Sequence, residues 1–429
     1  MRHYLRQEPG AATPLARIRE GGGRKGHPYL DIIRKAFKYR VYPNAQQEKG
    51  LAIQFGHARY VYNHFLAVRQ DHYKAHKEDE GKKGLTYAET NKLLTALKHT
   101  QECAWLQEAD SQALQESLRN LDQAYQAFFA KRSRYPKFKK KSHDQSVHYP
   151  QRFWVADRKV YAPKVGEIQA VIHRPLEGTP KNLTISKTRT GKYFASIQCE
   201  IEIPDPAPKN GAVGIDLGLT HFATLTTKER IDNPRHLKKS EKKLQRLQRQ
   251  LSHKVKGSKG REKARVQLSR QHEKVANQRR DFLHKTSRKL VDAYGFIAIE
   301  DLNVGGMVKN HHLAKHISDA GWSEFGRMLT YKGGWYGSWV EKNDRFAASS
   351  KECHVCGFKN KTLQLSDREW DCPQCGTHHD RDENASINIL KWSRAGVARR
   401  NAGGEDGRPP ANRSRQPSMK PEAQPLRVG

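Results

Sequence analysis

The spacing of apolar positions changes several times along the chain, and each change marks a different kind of element. Ala36 to Pro43, AFKYRVYP, concentrates aromatic and β-branched residues and predicts a strand closed by Pro43. From about residue 45 to 130 the period becomes helical, with Phe55, Tyr62 and Phe65, then Leu114, Leu118, Leu121 and Tyr125. Core packing is the expected use of these residues; stacking on nucleobases is the other. Residues 145–203 switch to period two. Leu183 and Ile185 alternate, as do Ala195, Ile197, Cys199, Ile201 and Ile203, which predicts two strands around a Thr190-Gly191 turn. Cys199 lies on that apolar row and reads as a small buried hydrophobe.

The second half repeats the alternation. GAVGIDLGLTHFATLTT predicts a β-hairpin, and FIAIEDLNV from Phe296 a short apolar strand. Between them Leu237, Leu244, Leu247 and Leu251 form a helical stripe, which KGSKG (Lys256 to Gly260) interrupts before a second helix. A Trp-rich helical region covers roughly 320–340, and a last short helix follows the final cysteines. Residues 1–33, with Gly21, Gly22 and Gly23, read as a flexible leader. Pro204 to Asn210, PDPAPKN, reads as a linker. Residues 394–429, rich in Pro, Gly and Arg, read as a disordered basic tail.

Charge then narrows the function. The 429 residues hold 79 Lys and Arg against 45 Asp and Glu, a formal net charge of +34. Such an excess repels itself in a compact state, so it points to a polyanionic partner, nucleic acid first. The polar faces of the 237–290 hairpin are nearly all Lys, Arg and Gln. In the run KRSRYPKFKKK, Lys131 to Lys141, Tyr135 and Phe138 interleave with the basic residues. That mixture suits phosphate contact with stacking, and a plain solvated face is the alternative. The length disfavours a small basic ribosomal-type protein. The first fifteen residues lack an apolar h-region, and no stretch approaches ~18 consecutive apolar residues, so neither secretion nor a membrane span is expected. The expected location is the cytoplasm.

Two constellations carry chemistry. Cys353 and Cys356, then Cys372 and Cys375, form two CxxC pairs at a spacing that suits four-thiolate zinc, with Gly357 and Gly376 completing each turn. Four thiolates leave no open position, so this zinc is structural. His354, His378 and His379 are surplus to the filled site. The second constellation is acidic. Asp216 in VGIDLG and Glu300 in IAIEDL each sit opposite the apolar row of a predicted strand. Gly214 and Gly218 beside Asp216 would let a phosphate or a metal approach. After the last CxxC, HHDRDENASINIL opens a helix with Asp380 and Asp382, and Ile387 and Leu390 are expected to anchor its buried face. Asp382 could equally be that helix's N-cap. Acids converging from distant points suggest Mg²⁺, a hard cation that takes oxygen ligands.

In combination, GIDLG, IEDLNV, CxxCG…CxxCG and DRDENASINI, in this order, resemble the TnpB family of transposon-encoded proteins, relatives of the type V CRISPR effectors. KAFKYRVYPNAQQE, FGHARYVYNHFL and YPKFKKK extend the resemblance over about Ala36 to Ile389. It implies a multi-domain α/β chain: a β-barrel wedge domain split between 34–45 and 140–205, and a helical recognition domain at 46–139. An RNase H-like RuvC nuclease domain would occupy 209–345 and 377–393, with a zinc ribbon at 346–376. It implies RNA-guided cutting of double-stranded DNA, with a guide RNA from the same element. Asp216, Glu300 and Asp382 would bind catalytic Mg²⁺, and the four cysteines Zn²⁺, in a protein expected to be monomeric. The family's Asn-Ala-Ala is Asn384-Ala385-Ser386 here, and residues before Ala36 have no counterpart. A guide-free transposase and a non-cleaving accessory protein are the competing functions; the intact acid set argues against the second.

Overall fold

The computed structural model describes residues 30–402, apart from 79–83, 205, 208, 345–346 and 365. Most of the expected leader and the end of the expected tail therefore lie outside the described residues. Two compact units divide the chain, one built from Arg34–Glu202 and the other running on from Ile203.

The first unit combines a sheet with a helical layer. Strand β1 (Leu30–Tyr42) begins earlier than AFKYRVYP predicts, inside the segment read as leader. Pro43 ends it, and Asn44 starts α1 (Ala45–Ala75) by a reciprocal capping box with Gln47. Helices α2 (Tyr87–His99) and α3 (Ser111–Phe129) follow, the latter capped by Asp110. Then come β2 (Gln145–Tyr149), β3 (Trp154–Ala156), β4 (Lys159–Ala162), β5 (Gly166–Val171), β6 (Thr179–Lys187) and β7 (Tyr193–Pro204). They form one seven-stranded sheet in the order β2-β6-β7-β1-β5-β4-β3. The Thr190-Gly191 hairpin is present, with Lys187 opposite Tyr193. Leu183, Ile185, Ala195, Ile197 and Cys199 all point into the sheet's core. Burial pushes the Cys199 thiol up to about 11, in keeping with an inert core residue. Phe65, Leu114, Leu118 and Leu121 pack in the helical core, whereas Tyr135 and Phe138 are exposed.

The second unit is a mixed sheet between helices. Its elements are β8 (Ala212–Leu217), β9 (His221–Leu225), β10 (Arg230–Asp232), α4 (His236–Ser252), α5 (Lys259–Ala293) and β11 (Phe296–Glu300). After them come α6 (Val304–Met307), α7 (Ala314–Ala320), α8 (Trp322–Tyr336), β12 (Trp339–Asn343), β13 (Glu369–Asp371), β14 (His378–Asp380) and α9 (Arg381–Ala402). Five strands form one sheet in the order β10-β9-β8-β11-β12. The hairpins are antiparallel, while β11 runs parallel to both β8 and β12. One face of the sheet packs on α5 and α8, where Val213, Ile215, Ile297 and Ile299 meet Leu283, Leu290, Phe325 and Leu329. Helix α9 covers the opposite face.

Two expectations for this unit change. The Trp-rich region is helical only to Tyr336; Trp339 begins β12, because Gly337 in the left-handed region stops α8. The region read as tail from 394 is helical to Ala402, as α9 continues past its last buried contacts. Among the described residues, no helix is long and apolar enough to cross a membrane.

Candidate functional site

Side-chain alternation decides where the acids point. Ile215 and Ile299 are opposite one another on the parallel pair β8 and β11 and face α8, so Asp216 and Glu300, one residue on, face α9. Gly214, on the Asp216 face, shows why α9 comes so close. A Cβ there would lie 2.1 Å from the Ser386 carbonyl oxygen and 2.9 Å from the Leu390 amide nitrogen. The glycine beside Asp216 thus admits a helix, where the sequence suggested a phosphate or a metal. That helix carries Asp382 in its first turn.

The three acids share one electrostatic neighbourhood. Burial, then Glu300, then Asp382 raise the Asp216 carboxyl well above its usual range, partly offset by Arg381. Asp216, Glu300 and Asp382 are each partly buried as whole residues. Burial also pushes the Glu300 carboxyl up, and a hydrogen bond from Ser349 pulls it back. The Ser349 hydroxyl donates to Glu300 Oε1 at 2.5 Å. Carboxylates are the oxygen donors that a hard cation such as Mg²⁺ takes.

Two register alternatives separate in space. Asp380 accepts from the amides of Asp382 (3.0 Å) and Glu383 (2.9 Å), so Asp380 is the N-cap of α9 and Asp382 is not. Arg230 on β10 occupies Asp380 from the other side at 2.8 Å and reaches Glu383 at 3.2 Å. Among the described residues, Asp382 faces an exposed Arg368 at 4.0 Å. Asp301, the other candidate beside Glu300, pairs with Lys342 at 3.8 Å.

The cysteine module leads directly into this helix. The four sulfurs of Cys353, Cys356, Cys372 and Cys375 lie within 4.8 Å of one another. The Cys353–Cys375 and Cys356–Cys372 sulfurs are 3.7 and 3.5 Å apart. Zinc–sulfur bonds of about 2.3 Å in a tetrahedron require sulfurs roughly 3.8 Å apart, so the cluster fits a zinc ion. Each knuckle closes the same way. Gly357 donates to the Cys353 carbonyl and Gly376 to the Cys372 carbonyl, both glycines with positive φ. Hydrogen bonds from the Thr377 hydroxyl and amide pull the Cys375 thiol down, while, against a hydrogen bond from the Phe358 backbone, burial and the neighbouring sulfurs push the Cys356 thiol up. His379, surplus as a ligand, has Nε2 3.1 Å from the Cys353 sulfur.

The inner face of α9 is polar, which the sequence reading missed. Ile387 and Leu390 are only half-buried; Asn384, Ala385, Ser386, Asn388, Ile389 and Ser393 are buried. The Asn388 amide donates to the carbonyls of Ser349 (2.9 Å) and Glu352 (2.6 Å), and the Asn384 amide to that of Glu352 at 2.8 Å. Asn384 Oδ1 accepts from the His354 amide at 3.0 Å. The departure at Ser386 is absorbed inside the helix, where its hydroxyl donates to the Glu383 carbonyl at 2.7 Å. Two asparagines one turn apart, just after a CxxC pair, were the signal that could have revealed this seam.

Comparison with known proteins gives three family matches. Residues 196–311 match a family described as "Probable transposase" (OrfB of IS605), and residues 322–389 match a "Cas12f1-like, TNB domain". Residues 33–78 match a "Helix-turn-helix domain"; here they form most of β1 and the whole of the long helix α1. A Streptomyces pristinaespiralis protein named "Putative RNA-guided DNA endonuclease" is 40% identical over 407 residues, covering 93% of this chain and 99% of the relative. An Escherichia coli K12 protein of the same name, with the addition InsQ, is 35% identical over 85% of this chain and 93% of its own length. A chain from a structure titled as a Cas12f1-sgRNA-target DNA complex shares 18% identity. It covers 83% of this chain and 99% of its own, at a TM-score of 0.33, too low to carry an argument.

Proposed function

The chain belongs to the TnpB family, and from that premise we propose that it is an RNA-guided DNA endonuclease of a transposable element. The observation that carries this reading is that Asp216, Glu300 and Asp382, from three separate elements, come close enough for the other two to raise the proton affinity of Asp216, in a chain of net charge +34. In this reading the sheet of the second unit with α9 is an RNase H-like RuvC domain, the cysteine module a zinc ribbon, and the seven-stranded sheet with its helices the wedge and recognition domains.

The roles follow from position. Asp216 and Glu300 stand side by side on adjacent parallel strands, and Asp382 joins them from α9. Together they would hold two Mg²⁺ ions, which supply a polarised scissile phosphate, an activated water and a stabilised leaving oxygen in phosphodiester hydrolysis. The residues themselves keep three acceptor groups in fixed relation, with Asp380 and Arg230 fixing the first turn of α9. Sequence choice is delegated to pairing between guide and target, while the basic surfaces hold the heteroduplex by its backbone. Cys353, Cys356, Cys372 and Cys375 would bind structural Zn²⁺ and play no part in the reaction.

The test is a cleavage assay. The protein is expressed with the sequences that flank its gene, purified, and its bound RNA sequenced. Duplex DNA matching the 3′ end of that RNA is then offered behind a randomised flank, with Mg²⁺ or with EDTA. Guide-dependent cutting that requires Mg²⁺ and is absent in Asp216→Ala is the expected result. A discrete bound RNA without cutting would make the protein a guided binder and leave the carboxylates without a role. Absence of any discrete RNA would move the weight to a guide-free transposase.

A further inference from the structure

Ser349 lies four residues before the first metal-site cysteine, yet its side chain belongs to the acid cluster. It is buried, and its hydroxyl donates to Glu300 Oε1 at 2.5 Å. Its carbonyl is held from α9 by the Asn388 amide at 2.9 Å, and the same amide grips the Glu352 carbonyl at 2.6 Å. Glu352 adjoins Cys353, and the neighbouring His354 is tied to Asn384. Asn384 and Asn388 are themselves almost wholly buried, at 1% and 0% exposure. One short loop therefore touches the cysteine cluster through its chain direction, Glu300 through a hydroxyl, and the helix bearing Asp382 through a carbonyl.

A glutamate on the last position of a strand has three side-chain torsions. One strong hydrogen bond to one carboxylate oxygen fixes the plane of the group and leaves the other oxygen free to bind a cation. Outer-shell partners of this kind are typically worth about 10–100-fold in metal affinity. We propose that Ser349 is a positioning residue for the acid cluster, and that through it the metal-filled cysteine module sets the geometry in which Glu300 meets a divalent cation. The proposal rests on the reading of Asp216, Glu300 and Asp382 as a cation site. It assigns the cysteine module a task besides its own folding.

The experiment measures Mn²⁺ binding to the zinc-loaded full chain without nucleic acid, from the electron paramagnetic resonance signal of free Mn²⁺. Wild type, Ser349→Ala, Ser349→Thr and Asp216→Ala are compared, each with its thermal transition. Ser349→Ala is expected to weaken Mn²⁺ by about tenfold or more with an unchanged transition, and Ser349→Thr, which keeps the hydroxyl, to restore it. Removing zinc should weaken Mn²⁺ binding in wild type and add little in Ser349→Ala, because both act through one contact. Should the alanine variant not fold, Ser349→Cys, of similar size and a weaker donor, serves in its place. Wild-type affinity in a folded Ser349→Ala or Ser349→Cys, together with lost binding in Asp216→Ala, overturns the positioning role and leaves the acid site standing. Unchanged binding in Asp216→Ala instead removes the cation site and this proposal with it.

Discussion

Asp216 stands where a carboxylate is least comfortable, crowded by protein and repelled by Glu300 and Asp382. A side chain kept under such strain is stabilised by something other than the apo fold. Asp216→Asn removes the repulsion and is expected to leave the thermal transition unchanged or raised. The same change should lower cleavage by roughly 10³-fold or more, the several kcal/mol of charge stabilisation that a metal site supplies. Calorimetry and single-turnover cutting on one preparation check both halves, and a lowered transition would refute the argument from repulsion. The neighbouring acids on α9 should separate in the opposite sense. Asp380→Ala loses an N-cap and the Arg230 pair and should cost about 0.5–2 kcal/mol of stability. Asp382→Ala should leave stability nearly untouched and abolish cutting. Denaturant titration beside the cleavage assay distinguishes the two; equal stability losses would contradict the capping assignment.

At the scale of elements, the site depends on how α9 seats on β8. The atoms that a Cβ at Gly214 would meet are backbone or the Leu390 Cβ, which moves only with its backbone, so the helix must shift. Gly214→Ala is expected to destabilise the second unit at or beyond the usual overpacking cost of about 1–3 kcal/mol. It should also abolish cutting, although position 214 bears no functional group. A variant of wild-type stability and activity would show that α9 does not sit where the structure has it. The cysteine module bears on the same helix, since β14 runs into α9 without a break. Stripping zinc should raise hydrogen exchange first in the knuckles and then in the first turn of α9, while the seven-stranded sheet stays protected. Exchange that rises equally everywhere would mean that the module supports the whole fold rather than this helix.

For the whole molecule the dominant quantity is the charge of +34. Part of it is spread over α4 and α5, which pack on each other and are rich in Lys and Arg, with Leu244 and Leu247 buried on α4. Binding to nucleic acid should lose about 10³-fold or more between ~50 and ~200 mM salt, as expected for six to ten phosphate contacts. A double-logarithmic plot of affinity against salt gives the slope; a flat line would mean that the basic surface does not carry the binding.

Much of this was readable from residues alone, because it rests on local rules. Period-two alternation marked the strands of both units, and CxxC spacing marked the four cysteines whose sulfurs cluster. Ile215 and Ile299 on apolar rows already implied that Asp216 and Glu300 point the other way. The order of motifs was enough to identify the family. Tertiary structure decided what depends on which backbones meet. It brought β8 and β11 together as parallel neighbours, and it separated Asp382 from the capping Asp380. It also turned Gly214 from a presumed approach for phosphate into a seat for a helix. Above all it made the buried face of α9 polar, where helical periodicity had favoured Ile387 and Leu390. The physical reason is that this face covers loop carbonyls, which need donors and cannot be satisfied by apolar side chains. Hydrophobic patterns report how a segment meets water; they do not report which polar backbone it will be asked to cover.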